Sequence, residues 1–210
     1  TGSPHQQRVI TIATTPAMGA LLMPGLASAL KPTFPQILLH NIAIVDAARQ
    51  LDQRQVDLLI DTHLHSGQAI SHHVLYQDRV QMYCRAGHPA LDGPQDETTL
   101  AEYEFALLLP EGQRYPTLHR RLQEEMGERR CGFSTFNLMT QAAMIAGSDM
   151  LGLTTERLFA MVSRLWPLQT LDFPSLGEEQ IDVALHFNKL SGKEPLLKEI
   201  IETVIRSFKA

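Results

Sequence analysis

One alternation constrains this chain more than any other feature: a β-branched run passes directly into a helix start, and the same sequence of events recurs along the chain. In Arg8-Val-Ile-Thr-Ile-Ala-Thr14 the β-branched residues cluster as in a buried or half-buried strand. Thr15 can then cap a helix and Pro16 can open it, because the fixed φ of proline suits the first helical position and its missing N–H would be unpaired there. The backbone N–H groups of Ala17 and Met18 are then expected to face the end of the strand, where orphan donors and the helix dipole both favour a polar or anionic ligand.

The pattern repeats. Strands are expected at Gln36 to Val45, Val56 to Ile60, Val74 to Tyr76 and Val80 to Cys84, with a short helix from Asp46 to Gln53. Two glycines and two prolines in Gly87-His-Pro-Ala-Leu-Asp-Gly-Pro94 mark a crossing point between lobes. Beyond it the alternation restarts. Strands are expected at Phe105 to Leu109, Cys131 to Thr135, Met150 to Leu153, Leu168 to Leu171 and Ile181 to Phe187. Helices are expected at Thr117 to Met126, Asn137 to Ala146 and Arg157 to Val162. Pro195 to Phe208 is an amphipathic helix, with Leu197, Ile201, Val204 and Phe208 on one stripe and Lys198, Glu199, Glu202 and Arg206 turned away. Strand–helix alternation implies parallel pairing through crossovers. The expected class is α/β, with two Rossmann-like subdomains and a hinged cleft. Residues 8–84 and 188–210 would form subdomain I and residues 85–187 subdomain II, after a polar lead-in or tag remnant at 1–7.

The net charge of −5 is spread over both halves, which argues against a phosphate-gripping surface. Arg120-Arg121 and Arg129-Arg130 flank the acidic Gln123-Glu-Glu-Met-Gly-Glu128 and read as a solvated helix face. No apolar run approaches the roughly 18 residues of a membrane helix, and no export signal is expected. The two cysteines, Cys84 and Cys131, are far apart in strand-like runs and are expected to be buried reduced thiols of a cytosolic protein.

Little in the chain points to catalysis. Among nine histidines, His63-Leu-His65 and His72-His73 are the closest sets, but no third ligand is in view, so neither a metal nor another cofactor is expected. There is no G-x-S-x-G elbow, Walker loop or G-x-G-x-x-G. The pairs Glu124-Glu125 and Glu178-Glu179 read as surface, and no enzymatic activity is expected. What remains is a binding site at the carboxyl ends of the strands, where open α/β sheets take their ligands. Those ends carry Thr14 and Thr15 with Met18 behind them, Asp61 and His63, Gln113 in Pro110-Glu-Gly-Gln-Arg114, and Ser134 and Phe136. The mixture suits a small polar or aromatic molecule, although Thr, Ser, Asn and Asp at strand ends also act as caps and turn formers.

Several segments resemble the effector-binding domain of LysR-type transcriptional regulators. Leu21-Leu-Met-Pro-Gly-Leu-Ala-Ser-Ala-Leu30 with Phe34-Pro35 resembles that family's first helix and following turn. Val56-Asp-Leu-Leu-Ile60 resembles its D-L-A-I strand, and Arg85-Ala-Gly-His-Pro-Ala-Leu91 its H-P-L crossover. Ile145-Ala-Gly-Ser-Asp-Met-Leu-Gly-Leu-Thr-Thr-Glu-Arg-Leu158 resembles its A-G-x-G-I-x-x-L-P segment, with Thr154-Thr155 where proline is common. Ser148-Asp149 and Arg157-Leu158 are similar to the branch holding nodulation regulators, aromatic-acid sensors and LeuO-like proteins.

The resemblance implies a fold like type 2 periplasmic binding proteins and a small effector, aromatic or carboxylate, in the cleft. It implies a homodimer or homotetramer, with the first helix of one subunit against a second-lobe helix of another. It also implies a cytoplasmic location, no membrane partner, and DNA contact only through an N-terminal helix-turn-helix domain absent from this chain. Thr14-Thr15-Pro16 matches the loop that holds an effector's polar or carboxylate group, and Arg114 is the one arginine in the cleft loops. A solute-binding protein of the same fold is the alternative, and a small α/β enzyme the third reading.

Overall fold

A computed structural model describes residues 7–108, 131–173 and 180–209. The expected helix Thr117 to Met126 and the loop holding Gln113 and Arg114 lie outside the described residues. The chain divides into two compact units, residues 1–77 with 182–210 and residues 78–181. The divisions fall inside two strands that run from one unit into the other, β4 (Ile70–Arg85) and β9 (Gln180–Asn188). The sequence reading instead placed the boundaries at 84/85 and 187/188.

Unit 1 is built on β1 (Arg8–Thr14), β2 (Ile37–Ala43) and β3 (Leu58–Asp61), all parallel, followed by β9 and β4. The register sets Thr14 beside Ala43 and Ala13 beside Leu59, so the carboxyl ends of three strands share one edge. β9 runs antiparallel to β3 and pairs Ala184 with Asp61. Between the strands lie α1 (Pro16–Leu30) and α2 (Ala47–Asp52), with α6 (Pro195–Ser207) at the end. Asp46 caps α2 by accepting the Arg49 N–H. α6 buries Leu197, Ile200, Ile201 and Val204, while Phe208 just beyond it stacks on Tyr76 with ring centroids 5.5 Å apart. Burying four such side chains contributes on the order of 6–12 kcal/mol.

Unit 2 places β4 between β7 (Gly152–Thr155) and β8 (Leu168–Leu171), both antiparallel to it. β5 (Phe105–Leu108) and β6 (Cys131–Thr135) form a separate parallel pair. The short helices α3 (Glu97–Leu100) and α5 (Glu156–Val162) and the longer α4 (Leu138–Ala146) complete it. Val80, Met82, Leu100, Phe105, Leu153, Leu171 and Phe173 close its core. On the other face of β4, the Tyr83 hydroxyl donates to Gln141 Oε1 at 2.8 Å, and Gln141 Nε2 donates to the Ala106 carbonyl at 2.8 Å.

Three expectations are corrected. Val74 to Tyr76 and Val80 to Cys84 belong to one 16-residue strand, because the polar Gln77-Asp78-Arg79 between them continues the ladder. Cys84 is buried and free, but Cys131 is exposed, because among the described residues β6 pairs only with β5 and leaves much of its length uncovered. The Met18 N–H is not free at the strand end, because the Thr15 hydroxyl caps it at 3.3 Å.

Candidate functional site

The α1 entrance is held by a polar knot under the helix. Thr14 is buried; its hydroxyl donates to the Thr15 carbonyl at 2.8 Å and accepts from Asn41 Nδ2 at 3.0 Å. The same Asn41 amide also donates to the Ile12 carbonyl at 2.9 Å, stitching β2 to β1. Helix α1 can rest on this knot only because residue 19 is glycine. A Cβ there would lie 2.5 Å from Asn41 Oδ1 and 2.9 Å from Thr14 Oγ1. Thr14 is therefore committed to fixing the helix. Thr15 uses its lone pair on Met18 and keeps its hydroxyl proton for an acceptor. Ala17, one residue into the helix, has an N–H with no acceptor in its own helix. Met18 itself is buried beneath the turn.

At the end of β3, Asp61 is buried with both carboxylate oxygens engaged. Oδ1 accepts the Thr62 N–H at 2.8 Å, and Oδ2 lies 2.9 Å from His65 Nε2. His65 in turn gives its backbone N–H to His186 Nε2 at 3.0 Å. With Nε2 accepting, Nδ1 of His186 carries the proton and faces the Leu59 carbonyl at 3.3 Å. His63 is exposed and packs its ring edge-on against His65, with centroids 4.9 Å apart. The His186 ring is fully buried; that burial, reinforced by the neighbouring His65, pushes its pKa down to about 4, so it is neutral at pH 7. The result is a rigid Asp61–His65–His186 relay behind an exposed histidine.

Thr14, Thr15, Met18, Asp61 and His63 therefore share one edge of unit 1. Ser134 and Phe136 belong to unit 2. Ser134 is exposed at the end of β6, and Phe136 is 74% exposed. Next to them Thr135 accepts the Asn137 N–H, and Asn137 caps α4 through the Met139 N–H at 2.8 Å, so these two polar residues serve the turn. Gln113 lies outside the described residues. The residues not singled out by the sequence reading are Asn41 and His186. His186 lies 127 positions from the carbonyl it faces, a pairing no local pattern encodes, and the alternation of β9 sets it opposite Ile181, Val183, Leu185 and Phe187, on the face that reads as polar.

Among the described residues no group of three or more His, Cys, Asp or Glu could hold a metal ion. Burial pushes the Cys84 thiol up to about 11, leaving it protonated and a poor nucleophile at neutral pH. No described helix is long and apolar enough to cross a membrane.

The family model described as LysR substrate binding domain matches residues 3–209. The chain is 44% identical over 207 residues to the uncharacterized HTH-type transcriptional regulator YbeF of Escherichia coli (strain K12), covering 99% of this chain and 65% of that protein. It thus spans just under two thirds of that relative. Among solved structures, it superposes on the regulatory domain of CrgA, a LysR-type transcriptional regulator from Neisseria meningitidis. The TM-score is 0.77 at 13% identity, covering 97% of this chain and all of that one. A sulfate-bound mutant of the OxyR2 regulatory domain from Vibrio vulnificus matches with a TM-score of 0.76 at 17% identity, covering 98% of this chain and 100% of that one. The fold is the type 2 periplasmic-binding-protein-like α/β fold of those regulatory domains, and the family and the curated relative are transcriptional regulators rather than enzymes.

Proposed function

Because the chain belongs to the LysR substrate binding domain family, we propose that it is the effector-binding and oligomerisation domain of a LysR-type transcriptional regulator, working in the cytoplasm. DNA would be gripped by a helix-turn-helix domain of the whole protein. One observation carries the effector reading: the parallel ends of β1 and β3 present the Thr15 hydroxyl proton, the free Ala17 N–H and the exposed His63 at one edge, braced by the hydrogen-bonded Asp61–His65–His186 relay. These are donors, so they suit an effector with a carboxylate, and His63 adds an aromatic face. This chemistry is in keeping with the aromatic-acid-sensor branch that the sequence resembles. Ser134 and Phe136 remain candidates in unit 2, each open to solvent.

Thermal unfolding against a panel of small aromatic acids, amino acids and sugars tests the reading. A ligand that binds only the native state must raise the melting temperature, and the aromatic acids are expected to do so. A response confined to sugars would replace the carboxylate assignment.

Oligomerisation is supported by α1, which carries no charged residue along its 15 positions. Ala20, Pro24, Gly25 and Ser28 are exposed on it, and the neighbouring edge strand β2 exposes Leu38. In unit 2, α4 exposes Met139 and Met144. An uncharged helix of small exposed residues allows close approach of a second copy, with α1 of one subunit against α4 of the other. Ala20→Glu is expected to halve the mass measured by light scattering without lowering the melting temperature. An unchanged mass would move the interface elsewhere.

A further inference from the structure

Four imidazoles of unit 1 form a chain of ring contacts. Centroids lie 4.9 Å apart from His63 to His65, 5.1 Å from His65 to His186 and 6.1 Å from His186 to His72. This array fastens the loop between β3 and β4. None of the loop residues, 62–69, is buried, so little apolar burial holds the loop in place. Its first half is tied by polar bonds instead. The Thr62 N–H donates to Asp61 Oδ1 at 2.8 Å, His65 Nε2 lies 2.9 Å from Asp61 Oδ2, and the His65 N–H donates to His186 Nε2 at 3.0 Å. The titratable groups facing His186 are His65 on this loop, Asp61 at the end of β3 and His72 on β4. On the same side of the sheet α2 packs through Ala47 and Leu51 and leaves its charged Arg49 and Asp52 exposed.

We propose that the His65–His186 bond is an acid-sensitive latch: protonation of His186 releases residues 62–66 from β9 while the remainder of unit 1 stays folded. The lone pair that accepts the His65 N–H is the one a proton would take, because Nδ1 already carries the other hydrogen. A protonated His186 turns an N–H toward the His65 N–H, and attraction becomes repulsion. Charge works in the same direction. Asp61 can balance one imidazolium, at His65, and a second at His186 would be buried beside the first with that carboxylate already taken. The closed loop therefore keeps the proton out. Burial, with His65 beside it, holds the His186 pKa at about 4, and opening gives the ring water and returns it toward the ordinary 6.5. Across that window opening takes up a proton, so its equilibrium constant rises by as much as about tenfold for each pH unit lost. The loop carries His63, so opening also removes that ring from the strand-end edge; the latch itself does not depend on the effector reading.

The test is amide hydrogen exchange followed by nuclear magnetic resonance on the ligand-free chain, between about pH 7 and about pH 4.5, the range in which an ordinary histidine titrates. Below about pH 6.5 the protection of the His65 amide, corrected for its intrinsic exchange rate, is expected to fall by up to about tenfold per pH unit. The amides of the β1–β2 ladder are expected to keep theirs, which separates release of the loop from unfolding of unit 1. In His186→Gln, which offers an acceptor that does not titrate, the pH dependence of the His65 amide is expected to vanish. Four results would each overturn the proposal: constant protection in the wild type, a fall in step with the β1–β2 amides, a dependence that survives in His186→Gln, or a fall that begins only below about pH 5, where a carboxylate rather than an imidazole takes the proton. The last two do not require the variant and the wild type to be equally stable, and the wild type alone decides the other outcomes.

Discussion

His186→Ala is expected to destabilise unit 1 by about 3–5 kcal/mol, the range of a buried side-chain truncation that also orphans polar groups. The ring is fully buried and ties β9 to the loop after β3, taking the His65 N–H on one nitrogen and facing the Leu59 carbonyl with the other. Alanine would leave the His65 N–H without its acceptor and a cavity beside it. The same burial gives a pH signature. The folded pKa lies at about 4 against an ordinary 6.5, so between these values the unfolded chain binds the proton and the folded chain does not. The contribution of His186 is therefore complete above about pH 6.5 and is lost as pH falls through that window toward 4, with a slope of at most about 1.4 kcal/mol per pH unit. His186→Gln retains one donor and one acceptor but cannot titrate. Urea unfolding from pH 4 to 7 is expected to show a shallower slope for Gln than for the wild type. Equal slopes would mean that another group carries the acid sensitivity.

Gly152→Ala is expected to cost unit 2 about 2–3 kcal/mol, as overpacking of a closed core does. A Cβ at residue 152 would collide with Ile145 Cδ1 and stand 3.1 Å from Tyr83 Cε1 and 3.3 Å from Gln141 Nε2. The last two belong to the buried chain of hydrogen bonds running from Tyr83 through Gln141 to Ala106, so the added methyl cannot be relieved by moving them without breaking it. Ile145 is the side chain that must yield. Ile145→Val in the Gly152→Ala background is expected to recover part of the loss, whereas Ile145→Val alone costs about 0.5–1.5 kcal/mol. Simple additivity of the two changes would show that the clash is absorbed elsewhere.

Much of the fold could be read from local pattern because each unit is built from short elements with sharp ends. The stripe of Leu197, Ile201 and Val204 is buried along α6 as its spacing of three and four residues requires, and Cys131–Thr135 and Leu168–Leu171 have the bounds their apolar alternation suggested. Pattern failed in β4. That strand passes from one unit into the other, and where its surroundings change, the side chains at Gln77 to Arg79 become polar while the backbone remains in the ladder. Local propensity reads that polarity as a turn.

The candidate edge was half legible. Thr15 and Pro16 state the helix start in sequence, and parallel pairing follows from the alternation, so Thr14, Thr15 and Asp61 could be placed at strand ends. What each hydroxyl and carboxylate does there could not be read. Thr14 is consumed by Asn41 and Asp61 by His65, and those pairings depend on register between strands and on the conformation of a loop.

The most direct test of the central claim is a calorimetric titration of the wild-type chain and Thr15→Val with whichever aromatic acid most raises the wild-type melting temperature. Valine keeps the shape of threonine but removes the hydroxyl proton that the structure leaves available. It also removes the α1 cap, at a stability cost of about 1 kcal/mol that unfolding alone would register. The account predicts saturable binding by the wild type and binding at least tenfold weaker by the variant at a temperature where both are folded. Equal affinities would contradict the placement of the effector at the strand-end entrance to α1.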